Sequence, residues 1–328
     1  MKSVLRACAR FSIPAALLAF AGMAAAQGDY PARLVHLVVP FAAGSGVDLV
    51  ARGFAQRLGE QTKTAFIVEN RDGAGGTLGA VAVTKSNADG YTLLFTASPP
   101  YAVGPAVQGS SAYDPNSDFV PVSKVAATSM VLIANNDAPF KSLAELASYS
   151  KANPGKLNYA TTGIGTPSHL SVEVIKERLG LNIEPVHYKS AGQAMTDTIA
   201  GHVPLYMPSY PAAQAYLQAG KVRGLAIGSP TRAAGAPDIP TLAEALKQPG
   251  LEIRVWYGLL APRGTPRAVV DRLASEVAKA AAAPEIVALV NKMGAEPLLV
   301  GPTDFATQIR AEVTSSRQLI QKLGIAEK

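Results

Sequence analysis

The sequence predicts an α/β fold in two lobes, and three observations point there. Strand-like and helix-like stretches alternate along the chain, which argues for mostly parallel sheets flanked by helices. Two successive strand-to-helix units turn through glycine-rich loops at the same place, Phe41-Ala42-Ala43-Gly44-Ser45-Gly46 and Gly73-Ala74-Gly75-Gly76-Thr77-Leu78-Gly79. The 302 residues from Gln27 to Lys328, those expected in the exported protein, are near the limit of a single hydrophobic core, so two lobes are expected.

The first residues read as an export signal. Lys2, Arg6 and Arg10 make a basic start, Phe11 to Ala21 is an apolar run too short to span a bilayer, and Ala24-Ala25-Ala26 supplies small residues for cleavage. Cleavage after Ala26 is expected, which places the protein in the periplasm. The single cysteine, Cys8, precedes the apolar run, whereas a lipid-bearing cysteine would follow it, so no disulfide or lipid anchor is expected. Without the three early basic residues the formal charge falls from +6 to +3, and the remaining charges are dispersed. Nucleic-acid binding has little support in that pattern.

Each element then follows in order. Arg33 to Pro40 reads as a buried strand, and Leu49, Val50, Phe54 and Leu58 give the next helix its apolar period. Ala65 to Glu69 is a second strand and Thr92 to Thr96 a third, ending in Ala97-Ser98-Pro99-Pro100. Val120 to Val125 and Met130 to Ala134 are extended. Ser142 with Glu145 reads as a capping box. Lys156 to Ala160 is a strand leading through Thr161-Thr162-Gly163-Ile164-Gly165-Thr166-Pro167 into a helix. Glu184 to Tyr188, Leu205 to Met207 and Val222 to Ile227 are further strands. Ile253 to Leu260 is a strand carrying the only tryptophan, Trp256. Thr265-Pro266 opens a helix with proline at its first position, and the last helix runs from about Thr303 to Leu323.

Glycine lets main-chain N–H groups turn outward, and a helix start adds partial positive charge, so such loops suit an anion without any side-chain cation. Other chemistries fit less well. Gly73 to Gly79 has Leu78 where a dinucleotide fingerprint needs its third glycine, and the acidic residue about 20 positions on is Asp89, in a turn. No phosphate-binding loop with lysine and no nucleophile elbow occurs. The histidines at 36, 169, 187 and 202 lack metal-ligand spacing. His169 reads as capping or packing at a pocket edge, His36 as a hydrogen-bonded core residue, and Asp48 as a pin for the first glycine loop. No cofactor or metal is expected.

The chain resembles the periplasmic receptors of the tripartite tricarboxylate transporter type, the Bug receptors, over essentially its whole exported length. The resemblance rests on Val38-Val39-Pro40-Phe41 with Gly44 and Asp48, and on Val68-Glu69-Asn70-Arg71 with the second glycine loop. It continues through Asp89-Gly90-Tyr91, Gly163-Ile164-Gly165 with His169, Tyr188-Lys189, Trp256-Tyr257-Gly258 and Gly294-Ala295-Glu296-Pro297. It implies a type II periplasmic binding protein, a Venus flytrap whose lobes are mostly parallel sheets flanked by helices. Lobe one is expected to hold residues 27–128 plus 254–328, and lobe two 129–253. It implies a small mono- or dicarboxylate gripped by main-chain amides, hydroxyls and waters. The contacts carried over are Phe41, Ala43, Gly44, Ser45, Gly46, Gly75, Gly76 and Ser98 from lobe one. From lobe two come Thr161, Thr162, Gly165, Thr166, His169, Tyr188, Lys189, Ser190 and Ser209. The chain departs from the family at Ser45 and Ser190, where glycine is usual, and at Pro204 and Pro208.

The expected function is capture of a small organic anion by hinge closure, with transfer to membrane transporter subunits or a sensor, by a monomer without enzymatic activity. An exported enzyme using His169, or a ligand-sensing partner of a membrane sensor, are the alternatives.

Overall fold

The computed structural model describes residues 30–98, 101–102 and 112–324. The expected export signal and the tip of the Ala97–Pro100 loop lie outside these residues. Two sheets organise the chain. The first has the order β11-β4-β10-β3-β1-β2, built from β1 Val35–Val39, β2 Phe66–Asn70, β3 Thr92–Ala97, β4 Phe119–Ser129, β10 Arg254–Pro262 and β11 Glu296–Val300. The second has the order β7-β6-β8-β5-β9, built from β5 Val131–Asn135, β6 Leu157–Thr161, β7 Ile183–His187, β8 Leu205–Tyr206 and β9 Val222–Ile227.

Both sheets are mixed, which corrects the expectation of mostly parallel ones. β1 pairs in parallel with β2 and β3, and β6 with β7 and β8. β10 runs antiparallel to both β3 and β4, and β5 antiparallel to β8 and β9. The reason is the crossing. A chain that leaves one sheet, builds the other and returns must bring at least one strand back against the direction of the opening units.

Strand alternation divides each core. In β1 Leu37 points to one face, with Phe54, Leu259 and Val270, while Val38 points to the other, with Leu94, Trp256 and Phe305. In β5 Leu132 packs with Tyr159 and Ile183, and Ile133 with Ala160 and Tyr206. Each such side chain contributes ~1.5–3 kcal/mol when fully buried. His36, expected in the core, is instead half-buried, with Nδ1 2.5 Å from Glu69 Oε1.

The helices close these faces. They are α1 Gly46–Thr62, α2 Thr77–Thr84, α3 Leu143–Ala152, α4 Pro167–Leu179, α5 Ala191–Ile199, α6 Tyr210–Gln218, α7 Leu242–Leu246, α8 Arg267–Ala281, α9 Pro284–Lys292 and α10 Pro302–Leu323. The Ser142 hydroxyl caps α3 by accepting from the Glu145 amide, but Glu145 reaches back to the Lys141 amide, one residue outside the expected box. A full capping box stands instead at Thr241 and Glu244 on α7. Pro266 is the N-cap of α8, not its first turn.

The chain passes between the sheets twice, and the two passages are joined by main-chain hydrogen bonds. The Met130 amide donates to Ile253 O at 3.1 Å, Gly228 N donates to Met130 O at 2.7 Å, and Ile253 N donates to Gly228 O at 3.0 Å. A methyl group at Gly228 would lie 2.3 Å from the Ile253 carbonyl oxygen, so only glycine permits this approach.

Candidate functional site

The carboxyl ends of β1, β2 and β3 share one edge of the first sheet, and the start of β10 reaches the same edge, because Tyr257 pairs with Ala97. The carboxyl ends of β6, β7 and β8 share one edge of the second sheet. β5 begins there, with the Val131 amide donating to Pro208 O at 2.9 Å and Met130 bridged to Ser209. Both sets of expected loops therefore lie on the edges from which the chain crosses between sheets, the usual place for ligands in open α/β sheets.

The first loop is held from beneath by Asp48, which is buried. Its Oδ2 accepts the Gly44 amide at 2.8 Å and Arg52 Nε at 3.0 Å, and its Oδ1 accepts Asn70 Nδ2 at 2.8 Å. Asn70 Nδ2 also donates to Phe41 O at 3.1 Å. Burial opposes the charge of Asp48, but the Arg52, Gly44 and Asn70 hydrogen bonds outweigh it and hold the carboxyl below the usual range. The Ser45 amide donates to Ala42 O, and the Ser45 hydroxyl accepts from Asp48 N as the cap of α1. Gly44 and Ser45 amides are thus used inside the loop. Those of Ala42, Ala43, Gly46 and Val47 have no partner among the described residues.

The second loop runs Gly73, Ala74, Gly75 and Gly76 all through positive φ, at 131°, 47°, 59° and 94°. Ala74 is the strained member, since only glycine takes that region without cost. Gly76 donates to Gly73 O at 3.0 Å, and Gly75 is exposed.

The loop after β6, in the second sheet, is knit by its own side chains. Thr162 N donates to Ser168 Oγ at 3.0 Å and Gly163 N to Thr161 Oγ1 at 3.2 Å. Gly165 N donates to His169 Nδ1 at 3.1 Å, and Thr166 Oγ1 donates to Gly163 O at 2.7 Å. The His169 ring stacks on Tyr159 and meets His187 edge-on. Burial, with His187 and Lys176 nearby, lowers its pKa to about 4, so it is neutral, with the proton on Nε2. Its chemistry is that of a loop pin. The Ile164 amide, absent from the expected set, has no partner among the described residues.

The remaining expected residues divide in the same way. Ser98 is buried and tied to β10, donating its amide to Trp256 O at 3.1 Å and accepting the Trp256 amide on Oγ at 3.2 Å. Tyr188 donates its amide to Thr161 O at 2.8 Å. Ser190 caps α5 through its hydroxyl, and Lys189 is exposed. Ser209 stands half-buried at the start of α6, and Phe41 packs against the first core. The buried Tyr257 lies beside the start of α1, and its hydroxyl has no partner among the described residues. Loop composition did not point to Tyr257, because its position depends on strand pairing.

A cavity of about 1190 Å3 also opens at the crossing, between α4 and α10, with Lys124, Met130, Leu170, Ile253, Trp256 and Glu312 in its walls. None of the expected contact residues lines it. It is bordered by Leu170, an α4 side chain inserted among first-sheet core residues, and by the Lys322–Glu177 pair at 2.7 Å. Among the described residues no cluster of His, Cys, Asp or Glu could hold a metal, and no helix is long and apolar enough to cross a membrane.

Residues 50–325 match the profile of the tripartite tricarboxylate transporter family receptor. The protein BugT of Bordetella pertussis is 34% identical over 310 residues, covering 94% of this chain and 95% of that protein. An R. palustris protein solved with adipate is 35% identical, with a TM-score of 0.73, covering 91% of this chain and 99% of its own. MatC from Rhodopseudomonas palustris, solved with bound malate, is 31% identical with a TM-score of 0.70, covering 89% of this chain and 100% of its own.

Proposed function

This chain belongs to the tripartite tricarboxylate transporter receptor family, and we propose that it captures a small organic mono- or dicarboxylate by hinge closure. Lobe one comprises residues 27–128 plus 254–328, lobe two 129–253, and the crossing at Met130, Gly228 and Ile253 is the hinge. The protein is exported to the periplasm after cleavage at Ala26. It acts as a monomer that hands its cargo to membrane transporter subunits or presents it to a sensor, and it carries out no turnover.

One observation carries this reading. The amides of Ala42, Ala43, Gly46 and Val47 are left without partners at the N-terminus of a 17-residue helix, where the helix dipole favours negative charge. The adipate and malate of the two solved relatives support the same class of ligand. Closure then follows from differential affinity, because the closed state offers amides from two lobes where the open state offers one set.

A panel of mono- and dicarboxylates tests this. A true ligand at 100 times its dissociation constant raises unfolding stability by ~2.7 kcal/mol. Absence of any melting shift across the panel would overturn the reading.

A further inference from the structure

We infer that Tyr257 is a specificity-determining contact, whose phenol joins the first-turn amides of α1 in binding one carboxylate of the ligand. This rests on the receptor reading above and adds a side-chain donor to a site otherwise made of main chain.

Three observations converge. Tyr257 lies on β10 opposite Ala97, at the carboxyl edge where the glycine loops stand. Its side chain is buried to 8% exposure, yet its hydroxyl has no hydrogen-bond partner among the described residues. The body of the ring is packed in the first core while its oxygen reaches accessible space, so the phenol is anchored and free to donate outward to a ligand. The hydroxyl also sits at the start of α1: a methyl group built on Gly46 would lie 3.7 Å from it. The Gly46 and Val47 amides, without partners themselves, open at that same turn. Two main-chain N–H groups and one O–H thus stand together at a helix N-terminus, a donor set that suits a single carboxylate.

The phenol's acidity suits the task. Burial pushes the Tyr257 pKa up, which keeps it a neutral donor at physiological pH. Gly46 has a matching role. It sits in the helix, where alanine would be conformationally favoured, and it places no methyl group beside the Tyr257 hydroxyl.

The experiment measures affinity for malate, succinate and adipate by isothermal titration on the wild-type protein and on Tyr257→Phe and Gly46→Ala. Tyr257→Phe should weaken the tightest of these ligands by about 10- to 100-fold, as loss of a hydrogen bond to a charged group does. Its melting temperature without ligand should be unchanged, because the hydroxyl has no protein partner to lose. Gly46→Ala should melt no lower than wild type and still bind more weakly. If the wild type binds and both variants match it, Tyr257 has no such role and the receptor reading stands. If the wild type binds no acid, both fall together. If Tyr257→Phe unfolds, retained affinity in a stably folded Gly46→Ala overturns the inference on its own.

Discussion

The indole Nε1 of Trp256 donates to Glu312 Oε2 at 2.6 Å, tying a crossing strand to the C-terminal helix. Trp256 also meets Phe305 and Tyr101 edge-on, at ring separations of 5.0 and 5.9 Å. Burial raises the Glu312 pKa, and the bonds from Trp256 and Ser98, with Lys124 nearby, offset this only in part. An acid whose folded pKa lies above its unfolded value binds more protons when folded, so its charge weakens the fold as pH rises. Glu312→Gln should therefore melt above wild type at pH 7. The gain should vanish below pH ~4.3, the ordinary glutamate value, where both states of the wild type are protonated. Thermal melts at pH 4 and 7, followed through Trp256 fluorescence, check the sign.

Asp48 has the opposite sign. Its folded pKa is depressed, so its stabilisation is present above the unfolded value near pH ~3.9 and is lost as pH falls through the folded one. Asp48→Asn leaves the Gly44 amide and the Arg52 guanidinium poorly paired, and should cost about 1.5–3 kcal/mol at pH 7. Urea titrations from pH 3 to 7 should show that difference shrinking in acid.

His169 is neutral in the fold with a pKa of about 4, below its unfolded value. Unfolding then takes up a proton between pH ~6.5 and about 4, so stability falls across that window on acidification. His169→Phe keeps the ring on Tyr159 but leaves the Gly165 amide without its acceptor. It should cost about 1–3 kcal/mol at pH 7.5 and flatten the acid slope. An enzyme using His169 would lose turnover while keeping ligand affinity, and calorimetry of the variant separates the two.

The Lys322–Glu177 pair joins α10 to α4, but both side chains are largely exposed. Glu177→Gln should change stability by less than ~1 kcal/mol, since exposed pairs contribute little. A larger change in denaturant midpoint would mean that the pair braces the lobes.

Much of this was legible in the chain, and the limits have physical causes. β1 and β3 declared themselves because a strand buried on both faces reads as a nearly continuous apolar run, broken in β1 only by His36. α9 and β11 carried weaker signals: β11 is half-exposed, and Pro297 interrupts it. The antiparallel seating of β10 between β3 and β4 is non-local pairing, which no window of sequence contains. For the candidate site, loop composition names loops but not which of their amides are already occupied. Whether Gly44, Thr162, Gly163 or Gly165 can meet a ligand depends on Asp48, Ser168, Thr161 and His169 already occupying them.

The joint at Met130, Gly228 and Ile253 is made of peptide groups, and peptide groups are the same whatever side chains they bear. Residues along the walls can drift toward a longer, shorter or bulkier cargo while the pivot stays as it was. Gly228 alone is exempt, because any larger residue there would collide with the Ile253 carbonyl. A receptor articulated in this way can change its diet without relearning how to move.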